Sequence, residues 1–162
     1  MKHVDIYTDG ACSYNPGPGG WGAILIYRGV ERELSGGDSE TTNNRMEITA
    51  IIEALSALKE KCEITLYSDS AYCIDSFNLG RIDNWRANGW RTADKKEVKN
   101  LDLWQRLLSV MNGHKITFVK VKGHADNEYN NRCDKLARNE TEKLLKDKAY
   151  LGIENEAGEE EK

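Results

Sequence analysis

The polarity pattern of the chain changes period near residue 41, and that change restricts the fold more than any other feature. Before it, Val4, Ile6 and Thr8 alternate with Asp5, Tyr7 and Asp9, so residues 3–8 read as a strand. The segments "GWGAILIYRG" and "VERELSGG" read as two more, joined at "YRGVE". Period-two segments separated by short turns predict an antiparallel meander over residues 1–37. After the change, "TTNNRMEITAIIEALSALKEKC" puts Ile48, Ile51, Ile52, Leu55 and Leu58 at helical spacing behind a start rich in Thr and Asn. A short buried strand "EITLYSD" and a helix "SAYCIDSFNL" follow, then a polar, partly helical stretch to Lys99. Asn100 is placed to cap a helix "LDLWQRLLSVMN" with apolar Leu101, Trp104, Leu108 and Met111. The strand "KITFVKVKG" and the helix "NEYNNRCDKLARNETEKLLKDK" complete the series, the latter with Tyr129, Cys133, Leu136, Ala137 and Leu144 on one side. Three hairpin-linked strands followed by alternating helices and strands predict an α/β chain with one mixed sheet. Its later strands should run parallel through right-handed crossovers. Sites in such sheets gather at the carboxyl ends of the parallel strands.

A length of 162 residues suits one domain able to bury a real core. No apolar run approaches the roughly 20 residues needed to cross a bilayer, and "MKHVDIYTDG" has no apolar region behind its charge. Cys12, Cys62, Cys73 and Cys133 form no CxxC pair and no zinc spacing, so free thiols in a reducing cytoplasm are expected. Residues 149–162 read as an acidic, disordered tail behind a domain of residues 1–148. Residues 152–162 alone hold five Glu and one Lys, a net of −4, which equals the charge of the whole chain. The remainder has 22 basic and 22 acidic residues, so a nucleic-acid partner would need locally concentrated positive charge.

Four acids draw attention by position. Asp9 ends the first strand and Asp69 the fourth, so parallel pairing would set them side by side. Each has a plainer explanation: Asp before Gly is a common turn residue, and Asp69-Ser70 could cap the next helix. Glu47, three residues after Asn44, could belong to a capping box, yet it also flanks the apolar stripe near Ile51. Asp134 flanks Cys133 and Ala137 in the same way. Charges at core edges are seldom left unpaired, and no Lys or Arg is an obvious partner for all four. An all-oxygen cluster of this kind suits Mg²⁺ or Mn²⁺. Two such ions about 4 Å apart form a clamp on a phosphodiester. In that reading the Gly-rich turn after Asp9 lets a substrate backbone approach.

The ordered set "TDGAC", "NPGPGGWGAI", "TTNNRMEI", "SDSAY", "GWRTADKKEVKNLDLW" and "VKGHADNEYNNRCDKLA", spanning about residues 3–140, resembles bacterial type 1 ribonuclease H. The resemblance implies the ribonuclease H-like fold, a five-stranded mixed sheet with helices on both faces. It implies endonucleolytic hydrolysis of the RNA strand of an RNA–DNA hybrid, leaving 5′-phosphate and 3′-hydroxyl ends. The family's metal-binding carboxylates fall on Asp9, Glu47, Asp69 and Asp134, holding two Mg²⁺ (or Mn²⁺) with Asp9 bridging. The family's mobile histidine falls on His124, where it serves leaving-group protonation or product release. Asn130 would support the site by hydrogen bonding.

The resemblance also implies a monomer that reads 2′-hydroxyls in a shallow minor groove. Gly10, Cys12, Asn15, Asn43 and Asn44 fall on positions that span both strands, with Thr42 and Asn43 on a DNA phosphate. Asn43 or Asn44 could equally cap the helix. Residues 81–99 match a basic protrusion, in which Arg81, Arg86, Arg91, Lys95, Lys96 and Lys99 exceed Asp83, Asp94 and Glu97 by three charges. Trp85 and Trp90 would brace it, and Trp85 would also touch DNA sugars. Several positions depart from the family pattern: Ala71 for a frequent Gln, Asn131 for a frequent Glu, and Ala87 and Asn88 for Lys or Arg. No hybrid-binding domain is expected ahead of Asp5. A resolvase-like nuclease of the same fold and a non-catalytic hybrid-binding module remain as alternatives.

Overall fold

The computed structural model describes residues 1–122 and 127–160, the side chains of 150–160 excepted. The expected meander is present with longer strands: β1 (Lys2–Cys12), β2 (Gly17–Tyr27) and β3 (Val30–Thr41) pair antiparallel. Arg28 and Gly29 link β2 to β3 with φ of 50° and 78°, the left-handed pair that a two-residue hairpin of primed type requires. Then come α1 (Asn43–Ser56), β4 (Cys62–Ser68), α2 (Ala71–Asn78), α3 (Arg81–Ala87), α4 (Leu101–Met111), β5 (Lys115–Lys120) and α5 (Glu128–Glu160). The sheet order is β3-β2-β1-β4-β5, and β4 runs parallel to both β1 and β5.

The two faces of the sheet are covered by different helices. Residues of β1 at even positions, such as Ile6, meet α1, whose Ile48, Ile51, Ile52 and Leu55 are buried as the spacing predicted. Leu58 lies beyond the helix, which closes at Ala57. On α4 the buried residues are Leu103, Trp104 and Leu107, so its apolar face is centred on Trp104. The opposite face of the sheet carries α5, which packs on β1, β2 and β3.

Asn100 holds the N-cap position of α4, as expected, but makes no side-chain capping bond; its backbone is left-handed, with φ 62°. Its amide nitrogen instead donates to the Tyr72 hydroxyl at 2.9 Å, and its oxygen accepts from Arg45 Nη1 at 3.3 Å. The α5 backbone runs helical as far as Glu160. Glu, Lys, Leu and Ala are strong helix formers, and each interior Gly costs only about 1 kcal/mol.

Candidate active site

β1 and β4 deliver two of the acids. Their parallel register pairs Tyr7 with Tyr67, and two residues further on stand Asp9, still on β1, and Asp69, just past the end of β4. The third arrives on α1, whose seat depends on Gly10. A Cβ there would lie 2.6 Å from the Glu47 nitrogen and 2.7 Å from the Met46 carbonyl carbon. The helix therefore rests its first turns directly on the β1 backbone. Thr42 is its N-cap, accepting from the Arg45 N–H at 3.2 Å. Glu47 is thus well inside the helix and belongs to no capping box; it is buried and turned toward Asp9.

Asp134 comes from the other face. Gly20 and Gly22 of β2 let α5 lie against the sheet, since a Cβ at Gly22 would stand 2.6 Å from the Cys133 carbonyl oxygen. These glycines and Gly10 are occupied by the protein's own helices. The Gly10 backbone also borders the open cleft beside the acids.

Asp9, Glu47 and Asp69 each offer an oxygen within 4.8 Å of the others. Asp134 lines the same open cleft, with Gly10, Asn43, Asn44, Ala71, Tyr72, Asn130 and Asn131. Its Oδ2 sits 2.9 Å from Arg138 Nε, one helical turn on. The i,i+4 spacing shows that pair in the sequence, yet it escaped notice, as did Tyr72.

The electrostatics of the cluster follow from burial. Loss of solvent, then the Asp69 charge, push the Asp9 carboxyl up to about 7, against the Gly10 N–H that donates to it at 2.9 Å. Glu47 is pushed well above the usual carboxylate range, first by burial and then by Asp9 and Asp69. Its Oε2 is buried without a hydrogen-bond partner. Crowded carboxylate oxygens, one of them orphaned, are a donor set that fits a hard divalent cation.

Other predicted residues lie at varying distance from this cluster. The Asn15 side-chain oxygen accepts the Asn43 N–H at 2.8 Å, joining the turn after β1 to the start of α1. The Cys12 thiol approaches the Thr41 carbonyl at 3.3 Å and borders a neighbouring cleft with Ala11, Ser13 and Arg138. Trp85 packs at a tilt against Trp104, with ring centroids 6.0 Å apart, and both Trp85 and Trp90 pack on the core. His124 lies outside the described residues.

A mixed sheet that presents carboxylates from two parallel strand ends, with a further acid from a helix on each face, is an arrangement suited to divalent-metal hydrolysis of a phosphodiester. The family model for RNase H matches residues 1–142. The chain is 62% identical over 146 residues to the ribonuclease H of Acetivibrio thermocellus, covering 90% of this chain and 99% of that one. It is 57% identical over 144 residues to that of Caldanaerobacter subterraneus subsp. tengcongensis, covering 89% and 94%. Among solved structures, it is similar to LC11-RNase H1 in complex with an RNA/DNA hybrid, with TM-score 0.67, 26% identity, and coverage of 88% and 99%. The chain belongs to the bacterial ribonuclease H family, and it is therefore a metal-dependent hydrolase acting on the RNA of RNA–DNA hybrids.

Proposed function

We propose that this chain cuts the RNA strand of hybrids endonucleolytically with two divalent ions, Mg²⁺ by preference, leaving 5′-phosphate and 3′-hydroxyl ends. The observation that carries this reading is the convergence of Asp9, Glu47 and Asp69 within 4.8 Å around an orphaned Glu47 oxygen. Asp134, in the same cleft, completes the ligand set. Bound ions supply Lewis-acid activation of the attacking water and stabilise the departing oxygen.

The residues of the chain supply alignment. Asp9 and Glu47 are held by strand and helix packing, so little reorganisation accompanies binding. Water adds its oxygen to phosphorus, and the bond from phosphorus to the 3′ oxygen breaks. The phosphate stays on the 5′ side of the downstream fragment, and the 3′ oxygen takes up a proton. His124 is assigned that protonation or the release of product. Gly10, Asn43 and Asn44 border the acids, and the Asn15–Asn43 hydrogen bond makes the turn and the start of α1 one unit. The amino end of α1 suits a DNA phosphate at Thr42 and Asn43, while small polar groups suit 2′-hydroxyls. Cys12 belongs to the same turn. Trp85 is assigned to the DNA sugars only through its half-exposed edge.

All four assigned carboxylates come from one chain, which supports a monomer. Four unpaired cysteines support a reducing, cytoplasmic setting. Among the described residues no helix is long and apolar enough to cross a membrane. The test is a panel of labelled hybrid, duplex RNA, duplex DNA and four-way junction with Mg²⁺. Cleavage confined to RNA in the hybrid is expected. Junction cutting, or hybrid binding without cutting, overturns the reading.

A further inference from the structure

Tyr7, Tyr67 and Tyr129 form a continuous aromatic stack. The Tyr7 and Tyr67 ring centroids are 4.5 Å apart with planes at 10°, and those of Tyr7 and Tyr129 are 4.9 Å apart at 27°. Each ring comes from a different element, and each of those elements leads to one of the acids. Tyr7 on β1 precedes Asp9 by two residues, so the two share a strand face, and Tyr67 on β4 lies two before Asp69, which stands one residue past the strand's end. Tyr129 lies in the first turn of α5, five residues before Asp134.

We propose that this stack is a positioning device that sets Asp134 against Asp9 and Asp69. Three further contacts tie the first turn of α5 to β3. The Tyr129 hydroxyl donates to Glu31 Oε1 at 3.0 Å, and Arg132 Nη1 donates to Glu31 Oε2 at 2.7 Å. Arg132 Nη2 also lies 3.6 Å from Glu33. From Cys133 onward α5 is seated by backbone contacts at Gly22 and Gly20, and the Cys133 thiol donates to the Tyr7 carbonyl at 3.3 Å. Removing the Tyr129 ring therefore loosens the turn that leads into this seat, and with it the tilt at which Asp134 faces the strand ends, while the rest of the helix stays docked. Asp134 is the acid that needs such help. It is not among the three whose oxygens already converge, and it is paired with Arg138. Stacked rings have a narrow preferred separation, so they fix the distance from helix to sheet more closely than flexible aliphatic side chains do.

The inference rests on Asp134 being a metal ligand. Tyr129→Leu keeps apolar bulk and removes the stack, whereas Tyr129→Phe keeps the stack and removes the bond to Glu31. Calorimetric Mn²⁺ binding without substrate is measured together with amide exchange over residues 128–134 and the metal dependence of turnover. Tyr129→Leu should weaken metal binding about three- to tenfold, the factor an aromatic pair is worth. It should also speed exchange in the first turn of α5 and lower turnover at limiting metal, with recovery at saturating metal. Tyr129→Phe should stay within about twofold of the parent, because an exposed polar contact is worth little. Tyr67→Leu breaks the stack from the sheet side and should shift metal affinity in the same direction. Parent-like metal affinity in Tyr129→Leu and Tyr67→Leu, whatever their melting temperatures, overturns the inference. Asp134→Asn separates the two possible failures. Unchanged binding in that variant removes Asp134 as a ligand and the role of the stack with it. Weakened binding there, with none in Tyr129→Leu, removes the stack alone.

Discussion

Asp9 and Glu47, each only 5% exposed, hold carboxylate oxygens within 4.8 Å of one another. Neither can be fully ionised at neutral pH in that position without a cation, because burial and mutual repulsion both oppose the charge. The metal-free site therefore stores repulsion that a bound ion relieves.

This has a consequence for stability. The Asp9 carboxyl rises from its ordinary 3.8 to about 7 in the fold. Between those values the folded chain holds a proton that the unfolded chain has released, so stability falls as pH rises from about 4 to about 7. Metal-free Asp9→Asn should then be more stable than the parent at pH 8, by on the order of 2–4 kcal/mol. The difference should vanish below about pH 4. Urea unfolding in a chelator at pH 3.5, 6 and 8 checks this, and Mg²⁺ should stabilise the parent more than the variant. Equal stability of the two proteins at pH 8 would refute it.

Gly10→Ala tests how α1 is seated. The new Cβ meets the backbone of Met46 and Glu47 at under 3.0 Å, and backbone cannot move aside as a side-chain tip can. Lifting α1 should cost about 1–3 kcal/mol, as overpacking does. It should also draw Glu47 away from Asp9, so that activity falls further than stability alone explains. Thermal melts and turnover at saturating Mg²⁺ separate the two effects. Full activity in a destabilised variant would mean that the seat does not set Glu47.

The order of the main elements and the parallel run of the later strands were legible from periodicity; that β4 pairs directly with β1, and so sets Asp9 beside Asp69, was a condition the sequence left open. Glu47 was legible as a core-edge acid, but its capping-box alternative fell only once Thr42 was seen to cap α1. The glycine contacts were not legible, because Gly20 and Gly22 meet a helix more than a hundred residues away. Asn100 misled because its side chain serves Tyr72 and Arg45, and neither contact leaves a local pattern. The tyrosine stack needed the β1–β4 register as well as the docking of α5.

The protrusion should supply affinity and no chemistry. Ala87 and Asn88 are exposed at the carboxyl end of α3, where added cations also suit the helix dipole. Ala87→Lys with Asn88→Arg should lower the Michaelis constant at moderate salt and steepen its salt dependence by roughly one to two units. Turnover at saturating substrate should hold. Parallel salt slopes for the two proteins would place these positions away from the phosphates.

The central claim is that the carboxylate cluster performs metal-dependent cleavage of RNA in a hybrid. Asp69→Asn removes one ligand charge with almost no change of shape, so folding free energy should stay within about 1 kcal/mol of the parent. The decisive measurement is cleavage of an end-labelled hybrid in Mg²⁺ by parent and variant, with the product ends identified. The parent should cut the RNA strand to 5′-phosphate and 3′-hydroxyl ends, and folded Asp69→Asn should show nothing above the metal-free background. Robust cutting by Asp69→Asn in Mg²⁺ would contradict the account.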